Sequence, residues 1–282
     1  KKDVGIVKRN DMINYKIYAS IDIAKLFFAL CIVILHGRGL AFFPYSIYFF
    51  AEKIILRLAV PFFFVCSGYF LSNTLKRKNG LKIYCTRLIK PLLVFEAINI
   101  VFEVIKLILK GSAIGSILKD VISHVLFYPY GALWYLQASI IGAVLLYPFV
   151  KKNKIGLAFF IGIVLYCFAL ICNNYYFIIA NNAGIKMIVD GYLDLFISAR
   201  NGVFVGFLFL CLGFYVERYK STLCRKPVLI SLIFLMCIEV LLLYGKEVVD
   251  DGALLISHIF LMPSLVAFLI EHNLNVKKET SI

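Results

Sequence analysis

Long apolar runs alternate along this chain with short loops that carry most of its charge. About 20 consecutive apolar residues are enough for a helix to cross a bilayer. Eight such runs are read, at roughly 17–37, 49–72, 88–109, 131–150, 155–172, 200–217, 227–244 and 252–270. The predicted fold class is therefore all-α, a polytopic transmembrane helical bundle forming one domain over residues 1–282. The stretch from His124 to Tyr130 is too short to span and is read as a re-entrant or interfacial piece.

Composition fixes the solvent. Hydrophobic residues make up 62% and charged residues 16% of the chain, and mean hydropathy is +0.91. That is too apolar for a soluble globular protein. The net charge of +14 is no nucleic-acid footprint, because most of the cations sit in loops that an eight-span alternation puts on one side. These are the N-terminal arm (Lys1, Lys2, Lys8, Arg9, Lys16), the Lys76–Lys90 loop, Lys151 to Lys154, Arg218 to Lys226, and Lys277 with Lys278. The opposite loops carry acids, among them Asp190, Asp194, Asp250 and Asp251. By the positive-inside rule the N-terminus is expected in the cytoplasm. The first apolar run lacks a small-residue cleavage site and is read as a retained helix. Eight dispersed cysteines, with no Cys-x-x-Cys, suggest neither a zinc site nor a disulfide framework.

Chemistry is concentrated in a few segments. Lys25 and His36 lie in the first apolar run. Ionisable residues in lipid are expensive and default to functional candidates. Their spacing is about three helical turns, so they share one face with a rise of roughly 16 Å. The plainer reading is that Lys25 snorkels and His36 caps the helix near water. Asp22 lies one turn before Lys25 and suits pairing with it. It is too far along the helix to orient His36, so an acid partner for the imidazole must come from elsewhere: Glu96, Glu103 or a residue beyond Ile282.

Pro61 to Phe70 holds Ser67 and Gly68, and the glycine permits a close helix crossing. Tyr84 to Pro91 holds Arg87 and Lys90 on one face. Placed in the first turn of a helix, where Pro91 would suit, they would bind phosphates, although positive-inside topology also explains them. Trp134 and Tyr135 stand at an outer boundary, as an aromatic belt or as a substrate contact, with His124 a further candidate nearby. Arg200 and Asn201 open a helix whose Gly202, Gly206 and Gly213 make one side small. Glu239 is a further intramembrane acid.

Taken together these segments resemble the acyltransferase family 3 of integral membrane acyltransferases. Lys25 and His36 are similar to its Arg/Lys-x10-His signature, and Pro61 to Phe70 to its Pro-Phe-Phe-Phe-x-x-Ser-Gly-Phe segment. Arg87-x-x-Lys90, Leu133-Trp-Tyr-Leu136 and Arg200-Asn-Gly-x-Phe204 match three more motifs in order. Lysine replaces the second arginine of the basic pair, and Ala132 stands where histidine is frequent. The wording also resembles the membrane domain of the membrane-bound serine racemases of vancomycin resistance.

The resemblance implies about ten helices, with two past Ile282, a bacterial plasma-membrane location, and a fused or partner C-terminal domain. It also implies that acyl-CoA, as acetyl-CoA, places its phosphates against Lys25, Arg87 and Lys90, with Tyr84 and Ser67 along its path. His36 is then the general base on a hydroxyl-bearing acceptor held near Trp134, Tyr135, Arg200, Asn201 and His124. Uptake of L-serine is the alternative that the resemblance leaves open.

Overall fold

The computed structural model describes residues 18–37, 39, 40 and 42–274. The cations of the N-terminal arm, with Lys277 and Lys278, lie outside the described residues. Those residues form eleven α-helices and no strand. The first is α1 (Ala19–His36), followed by α2 (Tyr45–Ile54), α3 (Ala59–Thr74) and α4 (Gly80–Leu109). Then come α5 (Ile114–Leu126), α6 (Trp134–Lys151), α7 (Ile155–Ile171) and α8 (Ala183–Phe196). A π-turn (Gly202–Gly206) leads into α9 (Phe207–Leu223), and α10 (Lys226–Leu243) and α11 (His258–Glu271) complete the order.

Each of the eight expected runs contains a helix, but eight spans are not confirmed. By length and composition five segments can cross a membrane: Ala19–His36, Tyr45–Thr74, Ile114–Lys151, Gly202–Leu223 and Lys226–Leu243. The helices α7 and α11 are apolar but shorter. Although α4 is 30 residues long, its apolar part carries Glu96, Glu103 and Lys106. The short helices α5 and α8 were not read as helices from the sequence. Asn182 caps α8 by accepting a hydrogen bond from Ile185 N at 3.1 Å.

The centre of the bundle is the crossing of α3 and α9, whose backbones touch. A Cβ on Gly68 would lie 2.1 Å from the Leu210 carbonyl oxygen, and one on Gly213 2.4 Å from Tyr69 N. Gly142 and Gly206 bring α6 against the π-turn in the same way. Without a hydrophobic drive between helices in lipid, such contact through small residues is what holds them. The glycines read from the sequence as a packing side do this work. The helix α10 lies at the periphery, with Ile230, Phe234, Leu241 and Leu242 exposed as lipid-facing residues are.

Two of the intramembrane acids, Glu239 and Glu96, serve the backbone, and the third, Glu103, a lysine. Glu239 accepts hydrogen bonds from Ile256 N at 2.6 Å, Ser257 N at 2.8 Å and the Tyr175 hydroxyl, and so satisfies the start of α11. Glu96 accepts from Tyr130 N at 3.2 Å, and Glu103 pairs with Lys106 at 2.8 Å. Neither is therefore the partner of His36.

Candidate active site

Five chain segments meet at the end of the bundle where α1 stops. The last turn of α1 carries His36, and a 3-10 turn (Leu56–Leu58) between α2 and α3 carries Arg57. The start of α6 brings Trp134 and Tyr135, and the residue before the N-cap of the π-turn is Arg200. The 244–257 loop adds Ala253 and Leu254. All of these line one cavity of about 320 Å³, whose remaining walls are almost entirely apolar.

The two arginines are held by a chain of carboxylates. Arg57 meets Glu52 through Nη2 at 2.5 Å and Nε at 2.8 Å, and Asp251 Oδ2 through Nη1 at 2.5 Å. The same Oδ2 lies 2.7 Å from Arg200 Nη1. Arg200 also forks onto Asp250, with Nε to Oδ2 at 2.9 Å and Nη2 to Oδ1 at 3.0 Å. Its guanidinium stands 5.3 Å from the Trp134 ring centroid and 5.6 Å from that of Tyr128. Burial favours the neutral Asp251 carboxyl, but Arg200 and then Arg57 outweigh it and hold the carboxyl below its usual range. Burial likewise opposes the Arg200 charge, and Asp251, Tyr128 and Asp250 raise it above the ordinary value.

The loop bearing the acids is fixed from several sides. Lys53 Nζ donates to Asp251 O at 3.2 Å and to Gly252 O. Asn173 Oδ1 accepts from Leu254 N, and Asn174 Nδ2 donates to Leu254 O, both at 2.8 Å. Ser198 Oγ donates to Asp250 Oδ2 at 2.6 Å. The backbone is left-handed at Ile197 (φ 67) and Asp250 (φ 56), and such strain in non-glycine residues persists only where the surroundings over-determine it. A Cβ on Gly252 (φ 57) would lie 2.6 Å from Lys53 Nζ and 2.7 Å from Asn174 Oδ1, so both side-chain ends that hold the loop would have to shift.

Of the residues singled out from sequence, His36, Trp134, Tyr135 and Arg200 line the cavity together. Trp134 is buried beneath Arg200 and stacked on Tyr128, with ring centroids 6.0 Å apart, so it is no lipid-facing belt. Asn201 is the cap of the π-turn: its Oδ1 accepts from Val203 N at 3.0 Å and Phe204 N at 3.2 Å. His124 turns to Tyr128 O at 2.6 Å and stacks on Tyr130, outside the cavity lining.

Lys25 pairs with Asp22 at 3.6 Å, as expected, and its Nζ lies 4.8 Å from the Phe70 ring centroid. Ser67 Oγ and the Tyr135 hydroxyl are 2.8 Å apart, and the buried Tyr84 and Ser139 hydroxyls lie beside them. Arg87 and Lys90 are exposed, and one expectation about them is corrected. Because α4 begins at Gly80, both stand two to three turns inside it and Pro91 is an internal proline. The free N–H groups of a helix start are therefore not theirs to add.

The sequence reading missed Glu52, Lys53 and Arg57, and took Asp250 and Asp251 for topology signals only. Three charges within one apolar run were the available signal. Asp251 reaches the cavity that holds His36 through the two guanidiniums it binds, Arg57 and Arg200.

A family model described as an acyltransferase domain, acyltransferase 3, matches residues 18–275, which include every element of the cavity. The chain belongs to the acyltransferase 3 family. This acyltransferase 3 chain is also similar to two amino-acid racemases of Enterococcus faecalis. One is 32% identical over 234 residues, covering 81% of the chain and 31% of the relative. The other is 28% identical over 233 residues, covering 77% and 32%. A serine/alanine racemase of Enterococcus gallinarum is 28% identical over 214 residues, covering 69% and 29%. The chain thus spans about a third of the length of these relatives. No solved structure matches it. Family and helices together make it a multi-pass membrane protein with an acyltransferase domain.

Proposed function

We propose that this domain moves an acyl group, as acetyl, from acyl-CoA to a hydroxyl of an extracytoplasmic acceptor, with His36 as general base. The observation that carries the reading is the position of His36 in an apolar cavity beside two clamped guanidiniums. A base removes the hydroxyl proton as oxygen attacks the thioester carbonyl. Apolar walls strengthen the electrostatics of that step. Lys25, on the same helix and about 16 Å nearer the basic end, meets the phosphates of the donor. Arg87 and Lys90 assist through their charge, and Tyr84 and Ser67 lie along the path between. The basic loops face the cytoplasm of a bacterial cell.

The test is acyl transfer from acetyl-CoA by purified protein, read by mass spectrometry of the acceptor. His36→Ala is expected to keep acetyl-CoA binding and lose about 10²–10⁴ in rate. Lys25→Ala is expected to weaken acetyl-CoA binding instead.

Uptake of L-serine is the second reading. It is favoured by the racemase names of the relatives and by a cavity of amino-acid size. It predicts that liposomes accumulate serine, that both variants impair the flux, and that acetyl-CoA leaves thermal stability unchanged. Serine accumulation without acetyl-CoA binding would overturn the acyltransferase reading.

A further inference from the structure

We infer that Arg57 and Arg200 form the oxyanion site of the acyl transfer, with Asp251 as the residue that positions both. The inference rests on the acyl-CoA reading above. It begins from the donors left over when the ion pairs are drawn. A guanidinium has five N–H groups. Arg57 uses Nε, both hydrogens of Nη2 and one of Nη1 on Glu52, Asp251 Oδ2 and Asp251 O. Arg200 uses Nε and one hydrogen on each Nη on Asp250 and Asp251. Among the described residues, one N–H of Arg57 and two of Arg200 stay without a partner, and both side chains line the cavity that holds His36.

Charge decides what those donors are for. Among the described residues the network holds three cations (Lys53, Arg57, Arg200) and three carboxylates (Glu52, Asp250, Asp251). With His36 neutral it carries no net charge, so it offers no excess attraction to a permanent anion such as a carboxylate or phosphate. The balance changes during reaction. The acceptor oxygen forms its bond to the thioester carbon, the hydroxyl proton passes to His36, and the carbonyl electron pair moves onto oxygen. One positive and one negative charge appear together. The spare guanidinium N–H groups take the negative one, and the protonated imidazole is its counter-charge. On collapse the carbon–sulfur bond breaks, and the departing CoA thiolate takes the proton back from His36. The products are the ester and CoA–SH. Donors aimed at charge that exists only in the transition state accelerate the chemical step without tightening ground-state binding.

The geometry is pre-set. Asp251 Oδ2 binds both guanidiniums, and Glu52 and Asp250 fix their far edges, so neither arginine needs to reorganise when the oxyanion forms. A lysine at either position would keep the charge and lose the fork.

Two CoA analogues test this, a trifluoromethyl ketone that hydrates to a tetrahedral oxyanion mimic and a thioether without a carbonyl. The wild-type protein is expected to bind the ketone more tightly than the thioether. In Arg200→Lys and Arg57→Lys the preference is expected to vanish while thioether affinity stays unchanged, which also shows that the variants are folded. In turnover kcat is expected to fall about 10²–10³-fold for each, at unchanged KM for acetyl-CoA. Asp251→Asn is expected to lower kcat at unchanged KM, with partial rescue in Asp251→Glu. If wild type binds both analogues equally, or the lysine variants keep the preference, the oxyanion assignment is overturned and the acyl-CoA reading stands. If wild type binds neither analogue, both fall together.

Discussion

Asp251 shows how much one side chain can decide here. Among the described residues its carboxylate is the only acid shared by Arg57 and Arg200, and removing it leaves two guanidiniums in a site of low polarity with one carboxylate partner each. Breaking a buried ion pair costs about 3–5 kcal/mol, more than forming it contributes. The pH dependence follows from the direction of the shift. Burial pushes the Asp251 carboxyl up, and Arg200 with Arg57 pull it below the value near 3.9 of an unfolded aspartate. Its contribution is therefore complete above about 3.9 and is lost only as pH falls through the lower folded value. The difference in melting temperature between wild type and Asp251→Asn in detergent is expected to stay constant from pH 8 to pH 5. A gap that closes within that range would assign the stabilisation to a different group. At this scale the sequence was legible where one residue type is costly in one place: His36 and Arg200 stand out in apolar surroundings. Asp251 did not, because an acid in a polar loop looks the same whether it faces water or two arginines 194 and 51 positions away in the chain.

At the scale of helices, glycine sets the distances. The α3–α9 crossing has no room for Cβ atoms at Gly68 and Gly213, whereas a Cβ at Gly115 in α5 or Gly191 in α8 would meet nothing within 4 Å. Gly68→Ala is expected to push α3 from α9 and cost about 1–3 kcal/mol, as overpacking of a tight core does. Gly115→Ala and Gly191→Ala are expected to be neutral or to stabilise by up to about 1 kcal/mol through helix propensity. Thermal melts of the three variants check this, and equal effects would mean that the crossing is looser than described. The Gly68 and Gly206 contacts were readable because small residues at helical spacing in an apolar run have few other uses. The start of α4 was not. Pro91 suits a first turn, but an internal proline in a membrane helix is tolerated when neighbours re-satisfy the freed carbonyl, and α4 runs through it from Gly80. The amphipathic α5 and α8, at 13 and 14 residues, are too short to stand out as lipid-length runs. The Asn182 cap was the sign that α8 offered.

For the whole molecule, the decisive property is polarity along the membrane normal. Lys78, Lys152, Arg225 and their neighbours sit in the turns at one end of the bundle, and the cavity with His36, Arg57 and Arg200 is built from loops at the other. With the basic end cytoplasmic, an acyl-CoA donor and an extracytoplasmic hydroxyl approach His36 from opposite sides, and Lys25 lies on the donor's side of the imidazole. With the opposite orientation, the cavity would open directly to cytoplasmic acyl-CoA and Lys25 would have no phosphate to meet. Single cysteines placed at Lys78 and Glu247 in a background without the eight native cysteines separate the two cases, since both positions are exposed. In intact cells a membrane-impermeant maleimide is expected to label Glu247→Cys at once, and Lys78→Cys only after permeabilisation. The reverse pattern would move the chemistry to the cytoplasmic face. It would also remove the reason for a base and a phosphate-binding lysine to share one helix face three turns apart.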